Sequence, residues 1–90
     1  MHEASLLRGF MRQLQDIAAA QGAVRITAVS VRLGALSQMS PEHFAEHFEA
    51  AARGTIAEGA VLHATVSEDF ADPRADGVWL EDVEVEVEEP

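Results

Sequence analysis

Apolar residues recur every three or four positions through the first twenty residues, as they do on the buried face of an amphipathic helix. We expect this helix to run from Ala4 to about Ala20 and to stop at Gly22, since glycine readily takes the left-handed backbone conformation that ends helices. Its buried face is predicted to consist of Leu6, Leu7, Phe10, Met11, Leu14, Ile17 and Ala18.

The segment that begins SPEHF predicts a second helix. The Ser40 side chain can accept a hydrogen bond from a free amide of the first turn, and Pro41 suits the first helical position because no amide partner is needed there. Gly54 is the expected stop. The predicted core face consists of Phe44, Phe48, Ala51 and Ala52.

Three further segments predict strands, and the first and third alternate apolar and polar residues, which is the period of a strand with one buried face. They are VRITAVSVRL at 24–33, VLHATVS at 61–67, and VWLEDVEVEVEE at 78–89, in which valines alternate with glutamates. The element order is therefore α-β-α-β-β. This order predicts an α+β fold, a small two-layer domain with two helices packed on one face of a three-stranded sheet and the glutamate face in water.

Length and composition predict one domain over residues 1–90. Ninety residues with 48% hydrophobic character can bury a single core. No apolar run approaches a membrane span and the first residues lack a signal-peptide pattern, so we expect a cytoplasmic protein. The chain has no cysteine. Disulfides, thiolate chemistry and cysteine zinc sites are therefore excluded, and any metal must be held by nitrogen and oxygen.

The net charge of −10 is concentrated near the end of the sequence. Residues 68–90 contain ten acidic residues and only one basic residue, Arg74. Such a surface repels phosphate backbones and anionic membranes, so we expect neither nucleic-acid nor membrane binding. A solvated acidic face and a contact face for a basic partner both remain open.

The sequence HFAEH at 43–47 has the H-x-x-E-H spacing of some zinc proteases. Helical spacing places His43 and His47 on one face, but a catalytic zinc also needs a third protein ligand and a cleft, and the sequence offers neither. We therefore interpret this segment as a solvated helix face with weak metal binding. His63, in the middle of a predicted strand, is interpreted as a structural or edge residue.

The first three residues, Met1, His2 and Glu3, form the stronger candidate metal site. The Met1 amine, the deprotonated backbone nitrogen of His2 and the His2 ring nitrogen can occupy three corners of a square plane. Nitrogen-rich tetragonal sites favour Ni(II) or Cu(II) over zinc or magnesium. The fourth ligand is left open between Glu3, another side chain and water. Many proteins begin Met-His without any such role, so these residues alone do not decide the function.

Motifs along most of the sequence match a known family. MHEASL opens the chain, VSVRLGALSQMSPEHF and ARGTIAEG follow in the middle, and VWLEDVEVE lies near the end. In this order and spacing the chain resembles the HypA/HybF family of nickel metallochaperones, which assist maturation of nickel-iron hydrogenases and, in some organisms, of urease. The resemblance implies a nickel site at Met1, His2 and Glu3, with His2 essential. It also implies a HypB-type GTPase and a hydrogenase large-subunit precursor as partners.

Members of this family carry a zinc ribbon before the last strand, held by two Cys-x-x-Cys pairs. This chain has SEDFADPRADGV at that place. We therefore expect a short form without a zinc site, in which a loop near 68–77 replaces the ribbon, because a short loop between adjacent strands leaves the core intact. The resemblance implies an accessory protein, not an enzyme, that delivers Ni(II) to a nickel-iron hydrogenase.

Two other functions stay open at this point. The chain could be a docking or adaptor module of the same machinery that no longer handles metal and uses the acidic strand as a contact face. An enzyme is the second alternative, although the sequence offers no nucleophile with a base, no phosphate-binding glycine loop and no convincing acid pair. An open sheet edge would also allow a homodimer through strand pairing.

Overall fold

Two helices and three strands form the described part of the chain, residues 3–88, in a computed structural model. The elements are α1 (Glu3–Ala20), β1 (Ala23–Leu33), α2 (Pro41–Ala52), β2 (Val61–Val66) and β3 (Val78–Val87). The predicted order and the α+β class are thereby confirmed. Neither helix has the combination of length and apolar character that a membrane span requires.

The three strands form one mixed sheet in the order β2-β1-β3. The central strand β1 pairs parallel with β2 and antiparallel with β3. Parallel neighbours cannot be joined by a tight turn, so α2 makes the crossover between β1 and β2. In this register Ser30 of β1 lies opposite His63 on one side and Asp82 on the other.

Both helices pack on the same face of the sheet, as predicted. α1 packs against β1 and β3, α2 packs against β2, and the two helices contact each other. Three residues of the predicted helix faces, Leu6, Ile17 and Ala51, are half-buried, and the other predicted members are buried. The buried core consists of Leu7, Phe10, Met11, Leu14, Ala18, Ile26, Val29, Val31, Leu33, Phe44, Phe48, Ala52 and Ala57.

Three aromatic rings join the two helices. Phe10 of α1 meets Phe44 of α2 edge to face, with ring centroids 5.7 Å apart, and meets Phe48 at 6.3 Å. Edge-to-face aromatic pairs contribute about 0.5–1.5 kcal/mol beyond the burial of their area. This contact therefore fixes where α2 lies relative to α1.

The first turn of α2 is capped as the sequence predicts. The Ser40 hydroxyl accepts a hydrogen bond from the His43 backbone amide at 3.1 Å, and Pro41 is the first helical residue. We expect Ser40→Ala to lower the free energy of unfolding by about 1 kcal/mol, because one amide of the first turn loses its partner. The thermal midpoint should fall by roughly 4–8 °C.

The matched control for this cap is Ser5→Ala. Ser5 lies exposed within α1, and alanine there should leave the midpoint unchanged or raise it slightly because alanine is the better helix former. Thermal unfolding followed by circular dichroism measures both variants. Equal losses in the two variants would mean that the cap is not the cause.

The connection between α2 and β2 is a network of local hydrogen bonds. Gly54 has a φ of +81°, and its amide donates to the Glu58 carboxylate at 2.6 Å. The Thr55 hydroxyl donates to the Ala52 carbonyl at 2.7 Å and accepts from the Ala57 amide at 3.1 Å. These residues belong to the segment ARGTIAEG, which therefore has a structural role in this protein.

The loop before β3 is ordered by short side chains. Ser67, Asp69 and Asp72 each accept a hydrogen bond from the backbone amide two residues further on. Asp72 also pairs with Arg74 at 3.2 Å, and the Arg74 guanidinium lies 3.9 Å from the centre of the Trp79 ring. The side-chain and backbone hydrogen bonds from Arg74 hold the pKa of Asp72 below its ordinary value. The pair is therefore intact at neutral pH and weakens only as the pH falls into the acid range.

The outer face of the sheet carries glutamates, as predicted, but two of them pair with arginines of β1. Arg25 lies 3.1 Å from Glu86 and Arg32 lies 3.2 Å from Glu81. Both pairs are exposed to water, and exposed pairs contribute little to stability. Their effect is to neutralise part of the acidic strand face.

Candidate metal centre

The predicted nickel ligands begin at the amino terminus. Met1 and His2 lie outside the described residues, and Glu3 is the first residue of α1. The chelate at Met1, His2 and Glu3 therefore stays a prediction. The described residues define the surroundings of α1, the helix that begins at Glu3.

The first turns of α1 face one end of α2. Leu6 lines a cleft together with Leu36, Met39, Asp76 and His43, the last of which belongs to the first turn of α2. The cleft therefore combines apolar side chains with one carboxylate, one imidazole and the polar side chains of Ser37 and Gln38. The spacing of residues along the sequence gives no indication of this approach, because it depends on how the two helices pack.

A second groove lies further along the same pair of helices. It is lined by Leu7, Met11 and the two exposed arginines Arg8 and Arg12 of α1, and by His47 of α2. The two clefts place the histidines of the HFAEH segment beside residues 6–12 of α1. The sequence predicts that these histidines share a helix face, and only the structure shows that this face is turned toward the start of α1.

His43 and His47 form a close pair of imidazoles. They are one helical turn apart, both are exposed, and their ring centroids are 4.5 Å apart with an angle of 56° between the ring planes. Among residues 3–88, no group of three or more histidine, cysteine, aspartate or glutamate residues is placed to hold a metal ion. Within residues 3–88, the candidate site therefore consists of the two imidazole rings of His43 and His47.

The fourth histidine lies elsewhere. His63 is exposed on the edge strand β2, in register with Ser30 of β1. This position agrees with its interpretation as an edge residue. It also makes His63 a useful reference side chain, because it has the same chemistry as the pair but a different place in the fold.

Comparison with known proteins gives the family. The HypA family model, described as hydrogenase/urease nickel incorporation, metallochaperone, matches residues 1–71. Hydrogenase maturation factor HypA of Acidithiobacillus ferrooxidans is 37% identical over 62 residues, which are 69% of this chain and 55% of that protein. HypA of Salmonella typhimurium is 40% identical over 63 residues, 70% of this chain and 53% of that one. HypA of Archaeoglobus fulgidus is 39% identical over 66 residues, 73% of this chain and 60% of that one.

A solved structure has the same fold. The solution structure of the Ni metallochaperone HypA from Helicobacter pylori superposes with a TM-score of 0.79, covering 98% of this chain and 100% of that chain at 18% identity. The small α+β domain thus has the fold of a HypA protein. More particularly, the chain is a member of the HypA family, and it spans about half the length of the curated relatives it matches.

Proposed function

We propose that this protein is a nickel-binding accessory protein that delivers Ni(II) during maturation of a nickel-iron hydrogenase. The observation that supports this most directly is the family match, which begins at residue 1 and so includes the Met-His-Glu start. Family membership supports a role in nickel incorporation in general. The hydrogenase as recipient is the more specific part of the proposal.

The proposed nickel ligands are Met1, His2 and Glu3. The free amine, the His2 backbone nitrogen and the His2 ring nitrogen would close two fused chelate rings, and Glu3 would complete or assist the site. A nitrogen-rich, tetragonal donor set of this kind selects Ni(II) or Cu(II). The arrangement needs an unmodified amine on Met1, which defines the form of the protein to be tested.

Delivery requires that the metal can also leave. The three nitrogens leave a fourth coordination position to Glu3, to water or to an incoming ligand of the recipient. Nickel binding displaces protons from the ring and from the amide, so lowering the pH favours release. A protein of this type can therefore hold nickel specifically and still exchange it.

The partners proposed from the family are a HypB-type GTPase and the hydrogenase large-subunit precursor, in the cytoplasm. We also propose that residues 1–90 act as one nickel-binding domain in which the loop near 68–77 takes the place of the zinc ribbon, without a zinc site. Coupling that a zinc ribbon provides elsewhere in the family would then have to come from another protein.

The test is calorimetry with Ni(II) on protein that has a native amine at Met1. We expect one-to-one binding whose affinity falls by at least about a hundredfold in His2→Ala, because this variant has no ring nitrogen to close the second chelate ring. A form with two extra residues before Met1 should show a similar loss. His63→Ala, which removes an exposed imidazole on the edge strand, is the control and should bind as the unaltered protein does.

Two outcomes would count against the proposal. If the His2→Ala protein binds nickel as tightly as the unaltered protein, the amino terminus is not the site. If no form binds nickel while a GTPase of the maturation machinery is still captured, the protein is an adaptor that no longer handles metal.

A further inference from the structure

We propose that His43 and His47 together form a second Ni(II)-binding site, beside the first turns of α1, and that nickel passes between this pair and the amino-terminal site. The passage rests on the function proposed above. The binding of nickel by the pair does not, because its two ligands lie on α2 and are independent of the Met1 amine.

The spacing of the two rings fits a shared metal ion. A metal–imidazole bond is about 2.1 Å long and the ring centroid lies about 1.1 Å beyond the nitrogen, so each centroid would be about 3.2 Å from the metal. Two rings at right angles around the metal then have centroids about 4.5 Å apart, and two rings at the tetrahedral angle about 5.2 Å. The observed separation of His43 and His47 is 4.5 Å. The centroid separation of the pair is therefore the one that adjacent positions of a tetragonal metal require.

The chemistry of the pair favours exchange over storage. Imidazole nitrogen is a good ligand for nickel, copper and zinc. Two protein ligands leave the remaining positions to water, so binding is weaker than at a site with three or four protein ligands. Both His43 and His47 are exposed, so a ligand from a second site can reach a metal held there.

The position of the pair connects it to the amino terminus. His43 lines the cleft that contains Leu6, and His47 lines the groove that contains Leu7 and Met11. Glu3 opens α1, only three residues before Leu6, which is about 4.5 Å of helix rise. His43 therefore lies beside the end of α1 that the candidate chelate leads into, and His47 lies one turn further along α2.

Charge is distributed unevenly around the pair. Asp76 lines the cleft with His43, and Glu46 belongs to the same turn of α2. Arg8 and Arg12 line the groove on the other side. A divalent cation is attracted by the carboxylates and repelled by the guanidinium groups. We therefore expect nickel to approach the pair from the cleft that contains Asp76.

The binding test uses the protein with two extra residues before Met1, because in this form the Met1 nitrogen is part of a peptide bond and cannot act as the amine ligand. Titration with nickel sulfate should show one weak, saturable site per chain. His43→Ala and His47→Ala should each weaken it by at least about tenfold, and the double variant should abolish it. Both side chains are exposed and alanine favours helices, so circular dichroism should show that every variant folds.

His63→Ala in the same extended protein is the matched control, and its titration should be unchanged. Nickel binding that survives loss of both His43 and His47, or that is reduced equally by His63→Ala, would overturn the second site. If the extended protein binds nickel through the pair while the native-amine protein shows no dependence on His2, the second site stands and the proposed amino-terminal site fails.

The passage of nickel is tested by release kinetics. Protein with a native amine is loaded with one Ni(II) and mixed with excess EDTA, and the loss of the nickel absorption band is followed by stopped flow. If the pair is the exit, the double variant His43→Ala/His47→Ala should release nickel several-fold more slowly, whereas His63→Ala should not. An unchanged release rate in the double variant would contradict the proposed passage of nickel through the pair, even if the pair binds nickel.

Discussion

Replacing Gly34 with alanine is expected to destabilise the domain by about 3 kcal/mol and to lower its thermal midpoint by roughly 12–24 °C. A Cβ atom at this position would overlap the Ala75 carbonyl oxygen and lie 2.7 Å from the Gly77 carbonyl oxygen. The Gly34 amide donates to Gly77 at 2.8 Å, and the Leu36 amide donates to Ala75 at 2.7 Å. The two backbone segments would have to move apart, which weakens both hydrogen bonds and opens the packing around buried Ala75. Chemical and thermal denaturation measure the loss.

Gly9→Ala is the matched control for this substitution. Gly9 lies exposed in the middle of α1, and an added Cβ would have nothing within 4 Å. Alanine there should stabilise the protein by about 0.5–1 kcal/mol, because glycine is a poor helix former. The same chemical change should thus act in opposite directions at the two glycines. A loss of less than about 0.5 kcal/mol at Gly34 would mean that the loop adjusts without cost and that the close approach does not matter for stability.

The Gly34 contact also shows what the sequence could not predict. The sequence predicts a strand that ends at residue 33, just before Gly34, and a loop near 68–77, and both predictions are local. That the carbonyls of Ala75 and Gly77 pack onto the end of β1 is a contact across about forty residues. No periodicity or turn preference reports such a contact. The loop therefore has a structural role that its composition did not reveal.

The elements themselves were predictable because each has a strong local pattern. The helix start at Ser40 and Pro41 and the valine-glutamate alternation of β3 depend only on neighbouring residues. The strand order β2-β1-β3 could not be predicted from neighbouring residues. It follows from which strands share the apolar surface under the two helices, and β1 is central with Ile26 and Val29 among its buried residues.

The candidate sites likewise have a part that the sequence predicts and a part that depends on the fold. Met1, His2 and Glu3 could be selected from the sequence because a chelate of contiguous residues needs no fold to bring its ligands together. The spacing of His43 and His47 was equally visible. The position of the two histidines beside α1 was not visible in the sequence, because it depends on the packing of the two helices. This position is the reason why a pair that the sequence analysis interpreted as a solvated face becomes a candidate site.

Truncating the aromatic contact between the helices should have the largest effect of all. Phe44 is fully buried and meets Phe10 edge to face at 5.7 Å. We expect Phe44→Ala to lower the free energy of unfolding by about 3–5 kcal/mol through lost burial and the cavity left behind. The total free energy of unfolding of a domain of this size is roughly 5–13 kcal/mol. The loss is therefore a large share of the total, and urea denaturation should show a much lower midpoint for the variant.

Phe70→Ala is the control for this truncation, because the same side chain is 66% exposed in the loop before β3. It should change stability by less than about 0.5 kcal/mol. Comparable losses in the two variants would mean that the helix contact does not dominate the core and that the argument for where α2 lies is wrong.

Phe44→Leu separates the stability of the protein from the position of the histidines. Leucine keeps most of the buried volume but removes the ring contact with Phe10, so we expect a loss of about 1–2 kcal/mol and a folded protein. Proton NMR should then show weaker contacts between side chains of α1 and α2. Contacts between the rings of His43 and His47 should persist, because one helix holds both residues. Helical spacing would thus fix the geometry of the pair, and the aromatic contact would fix its place beside the start of α1.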